Sequence, residues 1–490
     1  MSRYAAAALV FVCSAAVLMI EILAGRLLAP YVGISLETYT SIIGTVLAGI
    51  AAGAWLGGKL ADWRDARRLL GPTVCLGGLL ALFTVPIVRA LGDQTGGGGR
   101  GTTLSLAIAA FFLPALVLSA VTPMVVKLQL HDLHRTGGVV GRLSGISTFG
   151  ALVGTFVTGY VLTQTIRTST TIYVLGGTLL AIGIALGFWY SRRRGTVLAV
   201  ITAVGVIGAT AAASAHSPCQ IESAYYCIRV ERDASVPSGR ILWLDNLRHS
   251  YVDLNDPTHL GFFYEQTFAD VIAAAWPDHR ALDALHIGGG GFTLPRYLAA
   301  TYPGTRSTVL EIDPTVVKVG RDELGLHTSY VLRVRIGDAR IGIRKQPDAS
   351  ADLVVGDAFA SLSVPWHLTT TEFVSQAARV LRPNGIYVMN VIDYRPYRFL
   401  RAELKTLQKH FAYVATVSPT LSAYSGGNVV AVASNRRFLD AGFRASAPLA
   451  VVEQDRPLNR FIGNAPVVRD DFAPVDQWLD SDSQGGRKKG

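Results

Sequence analysis

Three carboxylates and a run of glycines are the residues of this chain whose types and spacing suit chemistry. Gly288 to Gly291, in "HIGGGGFTLPR", follow a short apolar run and precede a helix-like stretch. Glycines in such a turn, Gly288 and Gly290 first among them, let the backbone approach a nucleoside closely. Glu311 closes the next β-type run, "TVLEID", about 20 residues further on, where a carboxylate accepts hydrogen bonds from ribose hydroxyls. Asp338 closes "RVRIGDAR" and Asp357 closes "DLVVGDAF". One such carboxylate is an ordinary helix cap or turn residue. Three at successive strand ends project into one crevice, because open α/β sheets bind ligands beyond the carboxyl ends of their strands.

Those positions require a frame, and the pattern supplies one. From residue 281 the chain alternates strand, helix and strand through "ALDALHI", "LPRYLAATY", "STVLEID", "TVVKVGRDEL", "VLRVRIGD" and "ADLVVGD". This rhythm predicts a doubly wound, mostly parallel α/β nucleoside-binding domain over 281–475. Before it, "YYCIRVER", "GRILWLD" and "RHSYVDL" predict a small antiparallel β-rich unit within 216–280. The tail 476–490, with "SDSQGGRKKG", reads as disordered.

The first 215 residues belong to another class. The chain has 490 residues, of which half are hydrophobic and 16% charged, too apolar for an ordinary soluble enzyme. Residues 1–215 hold 15 Lys and Arg against 6 Asp and Glu, leaving 30 against 29 for the remainder. The excess cations sit between apolar runs, as membrane-flanking residues do, so the basic balance is not a nucleic-acid signal. Seven runs, near 5–28, 39–58, 69–88, 103–126, 143–163, 169–190 and 196–215, approach the roughly 20 residues a bilayer span needs. A membrane domain of about seven helices is therefore expected over 1–215. Its many glycines and alanines are read as packing surfaces. Glu21 and Arg26 are a charged pair in the first span, where a functional role and a register-fixing role weigh evenly.

Loops two, four and six carry ten Lys and Arg, and loops one, three and five carry Arg89, Arg100 and Arg167 alone. The positive-inside rule then places the amino terminus in the cytoplasm and, after seven spans, residues 216–490 outside. Cys219 and Cys227 suit a disulfide if that side is oxidising. Cys13 and Cys75 fall inside spans, and no metal site is expected.

Taken together, "GRILWLDN", "FFYEQTFADV", "HIGGGGFTLPR", "VLEIDP", "IGDAR" and "VVGDAF...VPWHLTTTEF" resemble the polyamine aminopropyltransferases, or spermidine synthases, in the variety fused to a multi-spanning membrane region. The resemblance covers roughly 222–435. It implies a methyltransferase-like, Rossmann-like domain preceded by a β unit, and transfer of an aminopropyl group from decarboxylated S-adenosylmethionine to putrescine or a similar amine. The donor is a co-substrate, with no tightly bound cofactor. By the same resemblance Glu311 binds the donor ribose and Asp338 with Ala339 the adenine edge, while His249 and Pro365 lie near the donor. Asp357 is the catalytic carboxylate and also meets the acceptor, and Tyr264 lines the acceptor channel. Glu265, standing where the family has a histidine, is taken as an acceptor-side substitute charge.

The chain departs from the family at Gly291 and Ala360, where aspartates are usual, so the nucleoside half of the site reads as kept and the amine half as rebuilt. Two further readings accompany the aminopropyltransferase: a methyltransferase using S-adenosylmethionine, and a noncatalytic transport or sensing protein binding a polyamine or nucleoside. His367 reads equally as a structural residue and as a base lacking an identified orienting partner. The expected partners are a small amine, an adenosyl sulfonium nucleoside and the lipid bilayer, with a homo-oligomer admitted and nucleic acid excluded.

Overall fold

The computed structural model describes residues 1–92, 100–130, 132, 136–190, 196, 199–200, 202–203, 205–207, 218–359, 364–419, 426–439, 443, 445–446 and 450–479. The chain divides into two compact units, Met1–Cys227 and Ile228–Gly490.

Among the described residues of the first unit, six helices are long and apolar enough to cross a bilayer: α1 (Arg3–Val32), α2 (Leu36–Trp63), α3 (Ala66–Gly92), α4 (Gly101–Gln129), α5 (Thr136–Leu162) and α6 (Thr168–Tyr190). They match the first six predicted runs. The seventh, 196–215, lies largely outside the described residues. Without a hydrophobic force between helices in lipid, close backbone contact has to hold the bundle, and glycine spacing provides it. Gly49, Gly53 and Gly57 of α2 face α4 at successive turns, and a Cβ at Gly53 would lie 2.1 Å from the Leu116 carbonyl oxygen. Gly150 and Gly154 of α5 meet α1 at Phe11 and Ala15 in the same manner. Arg26 Nη1 donates to the Thr163 carbonyl at 2.8 Å, joining α1 to the turn after α5. Cys219 and Cys227 are disulfide-bonded.

The β-rich segment forms a sheet of order β1-β2-β3-β4, from β1 (Ile221–Glu222), β2 (Cys227–Arg232), β3 (Gly239–Leu244) and β4 (Leu247–Asp253). The pairs β2–β3 and β3–β4 are antiparallel. After α7 (Phe263–Ala275) the α/β rhythm begins, with β5 (Asp283–Ile287), α8 (Thr293–Thr301), β6 (Arg306–Glu311), α9 (Pro314–Glu323), β7 (Leu332–Ile336), α10 (Ala339–Arg344) and β8 (Ala351–Gly356). There follow α11 (Thr371–Val380), β9 (Leu381–Tyr394), α12 (Arg398–Leu407), β10 (Tyr413–Pro419), β11 (Gly426–Ser434) and β12 (Ala450–Gln454). A one-turn helix, Val475–Trp478, occupies the start of the segment read as a disordered tail. Residues 480–490 lie outside the described residues.

The large sheet has the order β12-β10-β11-β9-β8-β5-β6-β7. Its strands from β9 to β7 are parallel neighbours, while β9–β11, β11–β10 and β10–β12 are antiparallel. Every residue of β8, "ADLVVG", is buried, as expected of a strand covered on both faces. At the edge, β7 alternates Arg333 and Arg335 with apolar residues, and such charges discourage strand addition. The chain runs β5, β6, β7 in one direction and returns to β8 on the other side of β5. The reversal falls between β5 and β8, and it is there that a doubly wound sheet opens its ligand crevice.

Candidate active site at the strand reversal

Gly288 leaves β5 with φ +93° and Gly290 follows with φ +49°, a left-handed region where side chains are disfavoured. A Cβ on Gly288 would lie 2.5 Å from the Asp357 carbonyl oxygen, so glycine there permits the ends of β5 and β8 to touch. The amide of Asp357 donates to the Ile287 carbonyl at 2.9 Å and that of Gly288 to Leu310 at 2.9 Å. These bonds fix the turn to both neighbouring strands.

Glu311 ends β6 as expected and is buried. Its Oε2 accepts the Gly289 N–H at 2.7 Å and its Oε1 the Asp313 N–H at 2.9 Å. Burial raises its carboxyl above the ordinary range, and backbone donors at Asp313, Gly289 and Gly290 oppose that rise. A carboxylate offers about four acceptor sites, so capacity remains to accept from a hydroxyl. Asp338 caps α10, accepting the Arg340 N–H at 2.7 Å, with Ala339 buried beside it. The Asp338 Oδ2 lies 3.3 Å from His367 Nε2. His367 therefore has the orienting partner that its sequence context did not reveal. Pro365 precedes the short 3₁₀ turn Trp366–Leu368 that carries this histidine.

A cavity of about 390 Å³ opens beside the glycine turn, and His249, Tyr264, Glu265, Gly288, Gly290 and Asp357 all line it. Glu311 at the end of β6, Asp338 and Ala339 at the start of α10, and Pro365 before the 3₁₀ turn are not in that lining. Asp357 accepts from Asn390 Nδ2 at 3.0 Å and from the Tyr264 hydroxyl. Asn390 Oδ1 in turn accepts from Asn428 Nδ2 at 3.0 Å. Burial pushes the Asp357 carboxyl up to about 6, against the pull of these two donors. Tyr264 stacks on Phe262 at 5.8 Å and meets the Phe268 edge at 5.7 Å, which holds its hydroxyl over the carboxylate.

Glu265 is buried at the third position of α7, where its Oε2 accepts the Phe262 N–H at 3.3 Å. It serves first as the cap of its own helix. Burial and then the Asp357 charge push it up to about 8. His249 and His286, by contrast, are lowered by burial to about 4 and about 3 and are neutral at physiological pH. His286 Nε2 sits 3.2 Å from Ser307 Oγ.

The raised Glu265 carboxyl makes a pH-dependent prediction. A carboxyl that holds its proton more tightly folded than unfolded stabilises the fold fully below its unfolded value and loses that contribution as pH rises through the folded one. For Glu265 the window runs from the ordinary 4.5 to about 8. Glu265→Gln, which keeps the neutral shape and cannot ionise, is therefore expected to melt close to wild type at pH 5.5 and clearly above it at pH 8.5, where wild type carries the penalty of a buried charge. Thermal melts at the two pH values test this, and a difference independent of pH would show that Glu265 does not titrate in that window.

Gly291, at the first departure from the family pattern, does not face the cavity. Its N–H donates to Ser250 Oγ at 2.8 Å, and a Cβ there would lie 2.6 Å from Ser250 Cβ and 2.9 Å from Val252 Cγ2. The β4 strand fills the place an aspartate would take. Ala360, the second departure, lies outside the described residues.

Residues 285–389 match the methyltransferase domain family. The chain is 34% identical over 111 residues to the polyamine aminopropyltransferase of Vibrio vulnificus, a match covering 22% of this chain and 37% of that protein. It is 25% identical over 422 residues to polyamine aminopropyltransferase 2 of Streptomyces coelicolor, covering 81% of this chain and 76% of the relative. Among solved structures, a probable spermidine synthase from Corynebacterium glutamicum aligns at 25% identity and a TM-score of 0.48, over 51% of this chain and 95% of that one. The chain thus spans between about a third and three quarters of the length of these two relatives. It is similar to the polyamine aminopropyltransferases, through a Rossmann-like α/β domain of methyltransferase type that follows six apolar helices.

Proposed function

We propose that this chain is a membrane-bound aminopropyltransferase that moves an aminopropyl group from decarboxylated S-adenosylmethionine to a small amine. The observation carrying the reading is Asp357: a carboxylate at the strand reversal, against the glycine turn, lining a cavity and held by Asn390 and Tyr264. Glu311 holds the ribose hydroxyls, and Asp338 with Ala339 meets the adenine edge. His249 and Pro365 border the donor.

An acceptor amine is an ammonium ion at neutral pH and has no lone pair until it loses a proton. Asp357 takes that proton, and its raised value places it where a base is effective near neutrality. The freed nitrogen attacks the methylene carbon next to the sulfonium. A C–N bond forms, the C–S bond breaks, and its electron pair passes to sulfur, releasing methylthioadenosine as a neutral thioether. The proton on Asp357 then leaves to solvent. The positive charge passes from sulfur to the new secondary ammonium, so the step moves charge within the cavity and creates none. No metal enters the reading.

The domain reading runs with it: a membrane domain over 1–215, a β-rich unit over 216–280 and the nucleoside-binding domain over 281–475. With the seventh run, 196–215, counted as a crossing, the loop charges and the Cys219–Cys227 bond favour the non-cytoplasmic side for the latter two, which requires the donor to be delivered there; six crossings alone would leave them on the cytoplasmic side.

Isothermal titration of the full chain in detergent with methylthioadenosine and with the decarboxylated donor tests the reading. Asp338→Asn is expected to weaken both by about tenfold, the loss of one charge-assisted hydrogen bond. Absence of binding by folded wild type sinks the proposal. The match to the methyltransferase domain supports a second reading, and tighter binding of S-adenosylmethionine than of its decarboxylated form would select it.

A further inference from the structure

We infer that the groove between α2, α3 and α4 at the basic end of the helical unit binds an anionic phospholipid, with one acyl chain lying in the groove and the phosphate held by Lys59. The site is independent of the aminopropyltransferase reading.

The groove is a cavity of about 540 Å³ walled by Leu56 and Leu60 of α2, Leu76 of α3, and Leu116, Val117 and Met124 of α4. Helices α2 and α4 touch behind it, where a Cβ on Gly57 would lie 2.5 Å from the Ala120 carbonyl oxygen. Leu56, Leu60 and Leu76 are exposed on its outer side, so the groove opens away from the bundle. The Thr73 hydroxyl, also in the lining, is turned to Met124 Sδ at 3.9 Å. From Leu116 to Met124 the wall runs about 12 Å along α4. A hydrocarbon crevice along a helix fits an acyl chain, which gains packing contact there while staying in apolar surroundings.

Charge at one end of the groove decides which lipid it takes. Lys59 lines the groove with its ammonium 3.9 Å from the Trp55 ring centroid, and Arg64 lies 5.2 Å from the ring of Trp63, which is also in the lining. The nearby acids are engaged elsewhere: Asp62 accepts from Lys127 Nζ at 2.6 Å, while Asp65 pairs with Arg68 at 3.7 Å and accepts the Arg67 N–H at 3.0 Å. Among the described residues no carboxylate pairs with Lys59 or Arg64. Two cations resting on indole rings at the mouth of a hydrocarbon groove complement a phosphate above an acyl chain. Tryptophans settle at the level of the headgroups, and basic pockets between membrane helices on the side of the basic loops take anionic headgroups. Phosphatidylcholine brings a cation of its own and offers no net charge.

Native mass spectrometry of the full chain, offered equal amounts of phosphatidylglycerol and phosphatidylcholine with the same acyl chains, tests this. Phosphatidylglycerol adducts are expected to exceed phosphatidylcholine adducts by about tenfold, as two cations at the headgroup level imply. Lys59→Gln combined with Arg64→Gln, both at exposed positions, should bring the two lipids level. Arg67→Gln combined with Arg68→Gln, in the same basic loop but outside the lining, should leave the preference unchanged. Leu76→Trp, which fills the groove, should reduce adducts of both lipids. Equal adducts on wild type overturn the inference, and so does an equal loss of preference in the two double variants, which would show attraction to the loop as a whole. Binding of glycerol phosphate as tight as that of the lipid would remove the acyl chain from the site. A wild-type dimer that Leu76→Trp dissociates would seat a second copy there instead.

Discussion

Asp357→Asn is expected to reduce aminopropyl transfer by about a thousandfold, within the range a positioned general base contributes, while methylthioadenosine binds as in wild type. The amide has the carboxylate's shape, and its carbonyl still accepts from Asn390 Nδ2, now 3.0 Å from Asp357 Oδ1. It cannot take a proton from an ammonium. Separating the two effects is possible because the nucleoside contacts proposed at Glu311 and Asp338 lie on β6 and at the start of α10, on the far side of the glycine turn. Transfer rates by mass spectrometry, set beside nucleoside titrations, provide the test. Turnover preserved in the variant would remove Asp357 from the chemistry and leave the site a binding pocket. The wild-type rate should also rise with pH through about 6, as Asp357 loses its proton. That rise should be absent in the variant.

The second large effect is expected at Gly288. Gly288→Ala has to place a methyl group 2.5 Å from the Asp357 carbonyl oxygen at φ +93°. The left-handed backbone costs about 1 kcal/mol for alanine relative to glycine. Overpacking against the backbone of Asp357, whose amide is hydrogen-bonded to the Ile287 carbonyl, adds about 2 kcal/mol. A loss of about 3 kcal/mol in stability is expected from these together, seen as a lower denaturation midpoint of the full chain, with weakened methylthioadenosine binding. Gly304→Ala is the control. It also has positive φ, at +85°, but its Cβ would approach nothing closer than Ala281 Cβ at 3.4 Å, so it should show the backbone cost alone. Equal losses at both positions would mean that the β5–β8 contact is not what requires glycine at 288.

Much of this architecture is legible along the sequence because it is written in local pattern. The strand, helix and turn alternation after 281 has its own periodicity, and the acids at the ends of β6 and β8 follow continuous apolar runs. What escaped notice depends on pairing across the sheet. Asn390 and Asn428 are single polar residues inside apolar strands, "VMNVIDY" and "GGNVVAVAS". Each signals a buried polar contact, but only the β9–β11 pairing, Asn428 opposite Ile392, brings the two amides into one line with Asp357. His367 and Asp338 are 29 positions apart in the numbering and meet through packing of the 3₁₀ turn on α10. The glycine at 291 reads in sequence as a lost charge. In space it is a close contact, since Ser250 and Val252 of β4 stand where a side chain would go. Glu265 shows the converse: read as a replacement charge, it is also the cap of α7.

The β4 strand is stitched to the α8 end of the glycine turn by Gly291 N–H to Ser250 Oγ, Thr293 Oγ1 to the Tyr251 carbonyl, and Arg296 Nη2 to the Asp253 carbonyl, at 2.8, 3.2 and 3.1 Å. Two walls fastened at three successive points cannot swing apart as a jaw does. The site then behaves as a cup of set capacity, and it selects by what its volume admits more than by closing around whatever arrives. Lengthening an acceptor should therefore be tolerated until the cup is full and cost affinity abruptly beyond that length, a threshold in chain length where a clamping site would show a gradual decline.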